Sequence, residues 1–341
     1  LSSYLLLQRG ERAEVPAHRY LVFSLGGAFV LMTGLAMITA AGGSFAAPGG
    51  RIPLACALPP SAFSSLGGGL LSIGGAAAGA LGSTGAAQTA LPSAAMVLIL
   101  IGFLVKAGAV GVHIWLPSSY GEAEGETSAL FSAVLSKVPV FGIILATVAI
   151  LGATGSVGSA SAGGSVAWLL PALGWIGLLT ALFGALLAVF QEDVKYLLAY
   201  SSMSQIGYIV AAIAAGSHLG WTTALYLSLL HFAFKGILFL AIAGVVMRTG
   251  RRRFHELGGL IKRMPLSFVT VLIAIISVSG VPPLAGFGGK WMLYTALLES
   301  GLNLQAALAF FASTIAFLYL FKLIHAVFLG QPRDELSGVR E

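Results

Sequence analysis

Charged residues are scarce in this chain. Asp, Glu, Lys and Arg make up 9% of its 341 residues, whereas hydrophobic residues make up 57%. An average soluble domain contains about 25% charged residues, and the mean hydropathy here is +0.95. This shortage of charge argues against a soluble domain and predicts an all-α, polytopic protein of the lipid bilayer.

Cysteine is nearly absent as well. The single thiol, Cys56, excludes an intrachain disulfide framework and a cysteine-based metal or iron–sulfur site. The sequence also lacks a histidine–carboxylate cluster with metal-ligand spacing, a flavin or quinone signature, and a nucleophile paired with a base. We therefore expect no resident metal, no cofactor and no self-contained active site.

Apolar segments of about 20 residues, the length that a bilayer crossing needs, recur along the chain. The segment 265–298 is too long for one helix and contains SGVPPLAGFGGK, so we expect a break at 279–290. The start LSSYLLL is too short to span, which predicts that further residues precede it. The predicted crossings are about 20–41, 94–116, 127–152, 165–190, 196–216, 220–247, 265–298 and 303–329, with a Gly/Ala-rich loop at 42–92 and a polar tail at 330–341.

The net charge of +6 is concentrated in a few loops. The predicted crossings place the basic cluster at 248–263 on the same side as loop 9–19, and the opposite loops hold Arg51 as their only Lys or Arg. Because basic loops stay in the cytoplasm, this asymmetry predicts a multi-pass protein of the inner (cytoplasmic) membrane with both loops inside, and it explains the charge without nucleic-acid binding. The other segments predicted on that side are 117–126, 191–195 and 330–341.

Lysines occur inside the predicted crossings, whereas all twelve acidic residues lie in loops or near helix ends. A lysine in hydrocarbon costs about 3 kcal/mol on insertion scales, so its presence there suggests a function. A buried amine without a counter-charge can change its protonation state, as a proton relay requires. Two alternatives remain: the amine reaches the membrane interface, or it pairs with a carboxylate on another subunit. The five lysines are Lys106, Lys137, Lys235, Lys290 and Lys322.

Histidines accompany three of these lysines. His231 and Lys235 are four residues apart and share a helix face, so a proton could pass between them. His113 follows Lys106 by seven residues and shares its face if that helix continues. We assign the proton path to Lys106, Lys137, His231, Lys235 and Lys290. The accessory candidates are His113, Lys322, His325, Glu122 and Glu124, although the turn that holds the two glutamates is more typical of a solvated loop.

Five motifs follow one another along the chain: KAGAVGVHIWLP, SALFSAVLSKVPVFG, DVKYLLAYSSMSQIGYI, HFAFKGILFL and SGVPPLAGFGGKW. In this order they resemble the antiporter-like, proton-translocating subunits of respiratory complex I, Mrp-type cation/proton antiporters and membrane-bound hydrogenases. The resemblance implies inverted repeats of five transmembrane helices with discontinuous helices. The first repeat would end within 1–152, and the second would occupy 165–329.

The resemblance also implies roles for single residues. Lys106 is similar to the lysine of the first broken helix and Lys137 to the connecting lysine. Lys235, with His231, is similar to the central relay, and Lys290 to the lysine at the second break.

Three departures from the family pattern accompany these matches. Family members usually carry a membrane glutamate upstream of the segment that resembles LSSYLLL, where this sequence starts. Tyr120 occupies the usual histidine position after WLP, and Glu124 occupies that of a proline. Leu227 stands where a second histidine is often found, which implies a simpler histidine relay.

The function implied is translocation of protons, with sodium as a second candidate ion, by one subunit of a larger ion-pumping or energy-coupling complex. Other membrane subunits would be its partners, and any NADH:quinone or hydrogenase activity would reside in them. Three alternatives stay open from the sequence: a cation/proton antiporter without redox chemistry, an energy-coupling subunit for a soluble non-redox partner such as an inorganic-carbon accumulation system, and a structural membrane scaffold.

Overall fold

Helices form almost all of the part of the chain that this computed structural model describes: residues 14–40, 85–154 and 168–333, with 336, 338 and 339. Within those ranges, β-structure is limited to one antiparallel bridge between Asp193 and Arg253. Six helices among the described residues are long and apolar enough to cross a membrane. The protein is therefore an all-α, polytopic membrane protein, as its composition predicted. The predicted segments 1–8 and 42–84 lie outside the described residues.

Eleven α-helices are numbered here in the order of the described residues. They are α1 (Glu14–Ala40), α2 (Gly85–Ala107), α3 (Trp115–Glu122), α4 (Gly125–Leu130), α5 (Lys137–Thr154), α6 (Leu169–Phe190), α7 (Val194–Ala214), α8 (His218–Thr249), α9 (Pro265–Ser279), α10 (Ala285–Glu299) and α11 (Asn303–Ile324).

Helix α7 lies at the centre of the bundle. Nearly all of its residues are buried, and it packs against α6, α8, α3 and α5. The outer helices instead expose large apolar side chains such as Phe29, Phe190 and Met247. Hydrocarbon solvates such side chains without cost, so this surface suits a bilayer. Because apolar side chains cover the outside, the polar side chains of the candidate site line the inside of the bundle.

Helix α2 differs from the predicted crossing at 94–116 at both ends. It begins at Gly85, inside the predicted loop 42–92, and it ends at Ala107. Gly108 and Gly111, with φ of +73° and +92°, then turn the chain in a conformation that side chains with a Cβ rarely adopt. The helix does not continue to His113, so the condition under which His113 would share a helix face with Lys106 is not met.

The break predicted at 279–290 is present. Helix α9 ends at Ser279 and α10 begins at Ala285, so five residues separate two short helices. Pro282 and Pro283 lie in this gap, where neither can donate the backbone hydrogen bond that a continuous helix needs. The chain thus contains the discontinuous helix that the proline and glycine content indicates.

Two π-helical turns extend the regular helices. Phe131–Leu135 lies between α4 and α5, and His325–Leu329 follows α11. A π-turn holds one extra residue, so it leaves a backbone carbonyl without its usual i+4 donor. The first of these turns directly precedes Lys137.

Four polar segments meet at one end of the bundle. Arg252 contacts both Glu122 and Asp193, and the Arg333 guanidinium donates to the Leu257 carbonyl at 3.1 Å. These contacts join the segments 117–126, 191–195, 248–263 and 330–333, which the predicted crossings also placed on one side. Their assignment to the cytoplasm stays a prediction.

Candidate functional site

The Lys137 ammonium group forms hydrogen bonds at the first π-turn. The Ser136 amide donates to Phe131 O at 3.2 Å, so Ser132 O is free to accept other donors. Lys137 Nζ donates to this carbonyl at 3.1 Å and to Ser136 Oγ at 2.7 Å, and it also bonds His231 Nδ1. The structure therefore brings together two predicted path residues that are 94 positions apart in sequence.

Lys235 is fully buried one turn beyond His231 on α8, but its hydrogen-bond partners lie on a different helix from Lys137, the partner of His231. Its Nζ donates to Leu198 O at 3.1 Å and to Ser201 Oγ, both on the central helix α7. A hydrogen bond of 2.9 Å between Ser132 Oγ and Ser202 Oγ joins the same helix to the π-turn. Serine hydroxyls thus surround the central lysines.

Lys290 lies against the break between α9 and α10. Its Nζ donates to Ser279 O at 2.8 Å and to Ser313 Oγ at 2.6 Å. Ser279 is the last residue of α9, so its carbonyl belongs to the negative end of that helix dipole and stabilises an ammonium. The Tyr208 ring lies 5.6 Å from the same Nζ atom and adds a cation–π contact.

Lys106 is half-buried in the last turn of α2 and lines a cavity of about 110 Å³. Ser136, which bonds Lys137, lines the same cavity together with Tyr20 and Tyr120. The cavity therefore connects the surroundings of Lys106 with those of Lys137. The Tyr120 hydroxyl donates to the Phe131 carbonyl at 3.3 Å, so the residue at the family's histidine position is bonded to the π-turn.

Lys322 binds the end of α6. Its Nζ donates to Val189 O at 2.9 Å and to Gln191 O at 2.7 Å, and it lies 5.2 Å from the centre of the Phe254 ring. His325, also an accessory candidate, is exposed and stacks on Phe321. The contacts of Lys322 are those of a helix C-cap.

Glu122 is part of an ion-pair cluster. The Arg252 guanidinium donates to Glu122 Oε1 at 2.8 Å and to Asp193 Oδ2 at 2.5 Å, and the Tyr196 hydroxyl donates to Glu122 Oε1 at 3.1 Å. The hydrogen bonds that the Arg252 guanidinium donates to Glu122 raise its pKa above the ordinary value, against the opposing effect of burial. The interpretation of Glu122 as a merely solvated residue is therefore wrong, whereas Glu124 is exposed.

An open polar cleft of about 830 Å³ surrounds this cluster. Lys195 lines the cleft and is buried, with its Nζ donating to Ala123 O at 2.8 Å. Lys195 lies in the predicted loop 191–195 and was not among the predicted site residues. The sequence signal that could have revealed it was Asp193, two residues earlier. Asp193 caps α7 by accepting a hydrogen bond from the Lys195 amide at 2.9 Å, so Lys195 belongs to the helix. Among the described residues, no group of three His, Cys, Asp or Glu is placed to hold a metal ion.

Comparison with known proteins identifies the family. A family model described as NADH:quinone oxidoreductase/Mrp antiporter, TM, matches residues 76–316. The chain belongs to this family. NADH-quinone oxidoreductase subunit N of Desulforudis audaxviator (strain MP104C) is 30% identical to it over 342 residues, which cover 100% of the chain and 61% of the relative.

Two further similarities agree with this membership. In Rhizobium meliloti (strain 1021), the A/B subunit of a probable K⁺/H⁺ antiporter is 32% identical over 71% of the chain and 23% of its own length. The solved membrane-bound sulfane sulfur reductase, an archaeal respiratory membrane complex, contains a chain that superposes with a TM-score of 0.79 at 32% identity, covering 99% of this chain and 51% of that one. The chain has an antiporter-like fold, and it spans only part of the length of these relatives.

Proposed function

We propose that this chain conducts protons across the membrane along a path through Lys106, Lys137, His231, Lys235 and Lys290, as one subunit of a larger ion-pumping or energy-coupling complex. Its relatives are subunits of a quinone oxidoreductase and of an antiporter. This supports other membrane subunits as partners, with any redox chemistry in those partners.

The contact between Lys137 and His231 carries the proposal. Both side chains bind and release protons, and the contact lies between helices inside the bundle. An ammonium group presents only donors, so it repels an alkali cation rather than coordinating it. The arrangement therefore favours protons over sodium as the ion that moves through this chain.

The test is proton flux in sealed vesicles that contain the full complex. Lys235→Ala and Lys106→Ala should each abolish flux, because each removes a group that carries the proton, while assembly on a native gel stays normal. Wild-type flux in both variants would refute the path and favour the structural scaffold.

Lys322→Gln is the matched control for this experiment. The amide of glutamine still donates a hydrogen bond towards the end of α6, whereas the positive charge is lost. We expect wild-type flux, since Lys322 has no place in the proposed path. Loss of flux in this control with normal assembly would show that removing a lysine charge outside the proposed path also stops transport. Losses of flux in Lys235→Ala and Lys106→Ala would then not define a path.

A further inference from the structure

The Tyr120 hydroxyl bonds the carbonyl at which the first π-turn begins. It donates to Phe131 O at 3.3 Å, and the same oxygen accepts the Ser136 amide at 3.2 Å, the bond that closes the turn. Tyr120 lies on α3 and is only 1% exposed. The turn is thus held from two sides, by its own backbone and by a side chain from the preceding short helix.

Packing fixes the position of this hydroxyl. The Tyr120 ring lies edge-on to three aromatic rings, at centroid distances of 6.2 to 6.4 Å. The Ser128 hydroxyl also donates to the Tyr120 carbonyl at 2.7 Å, which ties α3 to α4. A ring held in this way has little freedom to leave its acceptor. The three rings belong to Trp115, Phe131 and Phe239.

The turn carries two acceptors of the Lys137 amine. These are Ser132 O and Ser136 Oγ, and the Ser136 hydroxyl itself donates to Ser132 O at 2.6 Å. Ser132 directly follows Phe131, and the Ser136 amide bonds Phe131 O. A displacement of the Phe131 carbonyl would therefore move both acceptors, and with them the amine that contacts His231. Misplacement of a reacting group by about 1 Å can cost about 100-fold in rate.

Tyrosine provides a donor that stays neutral at this position, where the family usually has histidine. A histidine gains charge near pH 6.5, whereas a tyrosine hydroxyl ordinarily keeps its proton up to about pH 10. Tyr120 also lines the cavity that contains Lys106, so an imidazolium there would add a second positive charge to its wall. The tyrosine holds the turn without this repulsion.

We propose that Tyr120 is a positioning residue for proton transfer through Lys137. Its hydroxyl fixes the π-turn, and the turn places the Lys137 amine against His231. Tyr120 carries no proton itself, so every residue of the proposed path keeps its role. The inference rests on the proposed function.

Tyr120→Phe tests the inference in the full complex, because it removes the hydroxyl and keeps the ring with its aromatic contacts. We expect proton flux in sealed vesicles to fall about tenfold, since the amine is no longer held at the productive distance. Assembly on a native gel should stay normal. Equal flux in Tyr120→Phe and wild type would overturn the inference.

The pH dependence of flux separates positioning from a loss of stability. His231 and Lys235 interact electrostatically with Lys137, and Lys106 lines the adjoining cavity; Tyr120→Phe leaves all three in place. An ammonium with less well-placed acceptors loses its proton at lower pH. The pH of half-maximal flux should therefore be lower by about one unit in Tyr120→Phe. Reduced flux with an unchanged pH profile would reflect fewer intact complexes and would overturn the positioning role.

Tyr20→Phe is the matched control. Tyr20 lines the same cavity, and its ring also lies edge-on to that of Phe131, at 5.4 Å. Its hydroxyl, however, forms no hydrogen bond to the turn in the described part of the chain. Tyr20→Phe should keep wild-type flux and pH dependence, and a tenfold loss there would overturn the specific role of Tyr120.

The lysine variants distinguish failure of this inference from failure of the proposed function. If Lys106→Ala and Lys235→Ala both keep full flux, the proposed function fails. If both lose flux while Tyr120→Phe keeps wild-type flux and pH dependence, only the positioning role fails.

Discussion

Backbone carbonyls at helix ends and irregular turns hold several of the lysine ammonium groups. Lys137 bonds Ser132 at the π-turn, Lys290 bonds Ser279 at the end of α9, and Lys322 bonds the end of α6. These carbonyls lack their usual helical donors. Neutral oxygens stabilise an ammonium less than a carboxylate does.

Lys322 should contribute to stability rather than to transport. Lys322→Met leaves the carbonyls of Val189 and Gln191 without this donor, which should cost about 1–3 kcal/mol. Thermal unfolding of the purified protein should therefore begin at lower temperature, and Lys322→Gln should recover most of the loss. The exposed Lys262 provides a control, since Lys262→Met should leave the unfolding temperature unchanged. Identical curves for Lys322→Met and wild type would exclude the capping role.

The buried Lys235 and Lys290 could be predicted from the sequence, but their partners and the buried Lys195 could not. A lysine among aliphatic residues is visible in the sequence because its cost in hydrocarbon is large. The hydrogen bond between Lys137 and His231 depends on how α5 and α8 pack, whereas helical spacing alone indicated only Lys235 as a neighbour of His231.

Helix breaks differ in how clearly a sequence indicates them. The gap between α9 and α10 contains two adjacent prolines, so the sequence predicted it. The gap after α2 depends on Gly108 and Gly111 in left-handed conformations, and glycine is also common inside membrane helices. The π-turn at Phe131–Leu135 has no compositional signal, because one extra residue in a helix changes its hydrogen bonds and not its hydropathy.

Close packing at the break should make Gly286 sensitive to substitution. A Cβ atom at Gly286 would lie 1.6 Å from Ser277 O, so Gly286→Ala must separate α9 from α10. Overpacking of this kind costs about 1–3 kcal/mol, and we also expect proton flux to fall because Ser279 O moves relative to Lys290.

Gly288 in the same helix provides the control, because a Cβ atom there would have its nearest neighbour at 3.9 Å. Gly288→Ala should therefore be neutral or slightly stabilising in the same unfolding and flux measurements; equal behaviour of the two variants would contradict the packing argument.

The end of the transmembrane bundle around Arg252 depends on different interactions from its centre. The centre holds lysines among carbonyls and hydroxyls, whereas the described end around Arg252 holds a cluster of opposite charges beside an open polar cleft. Arg252 connects the start of α7, the end of α3 and the segment after α8 through Asp193 and Glu122. These helices also carry or contact the buried lysines, so the cluster fixes their positions relative to one another.

Removal of Arg252 should therefore loosen this end of the molecule. The Arg252 side chain is 32% exposed, so solvent weakens its ion pairs, and Arg252→Met should lower the unfolding temperature by only about 2–4 °C. The exposed neighbour Arg253 lines the same cleft, and Arg253→Met should have no comparable effect.

The pKa of Arg252 is raised in the folded protein, so its contribution to the free energy of unfolding is fully present below the unfolded pKa and declines only above it. An ordinary arginine keeps its proton to about pH 12. The difference between Arg252→Met and wild type should thus stay constant from about pH 6 to pH 9, and a difference that vanishes within this range would show that another titrating group maintains the cluster.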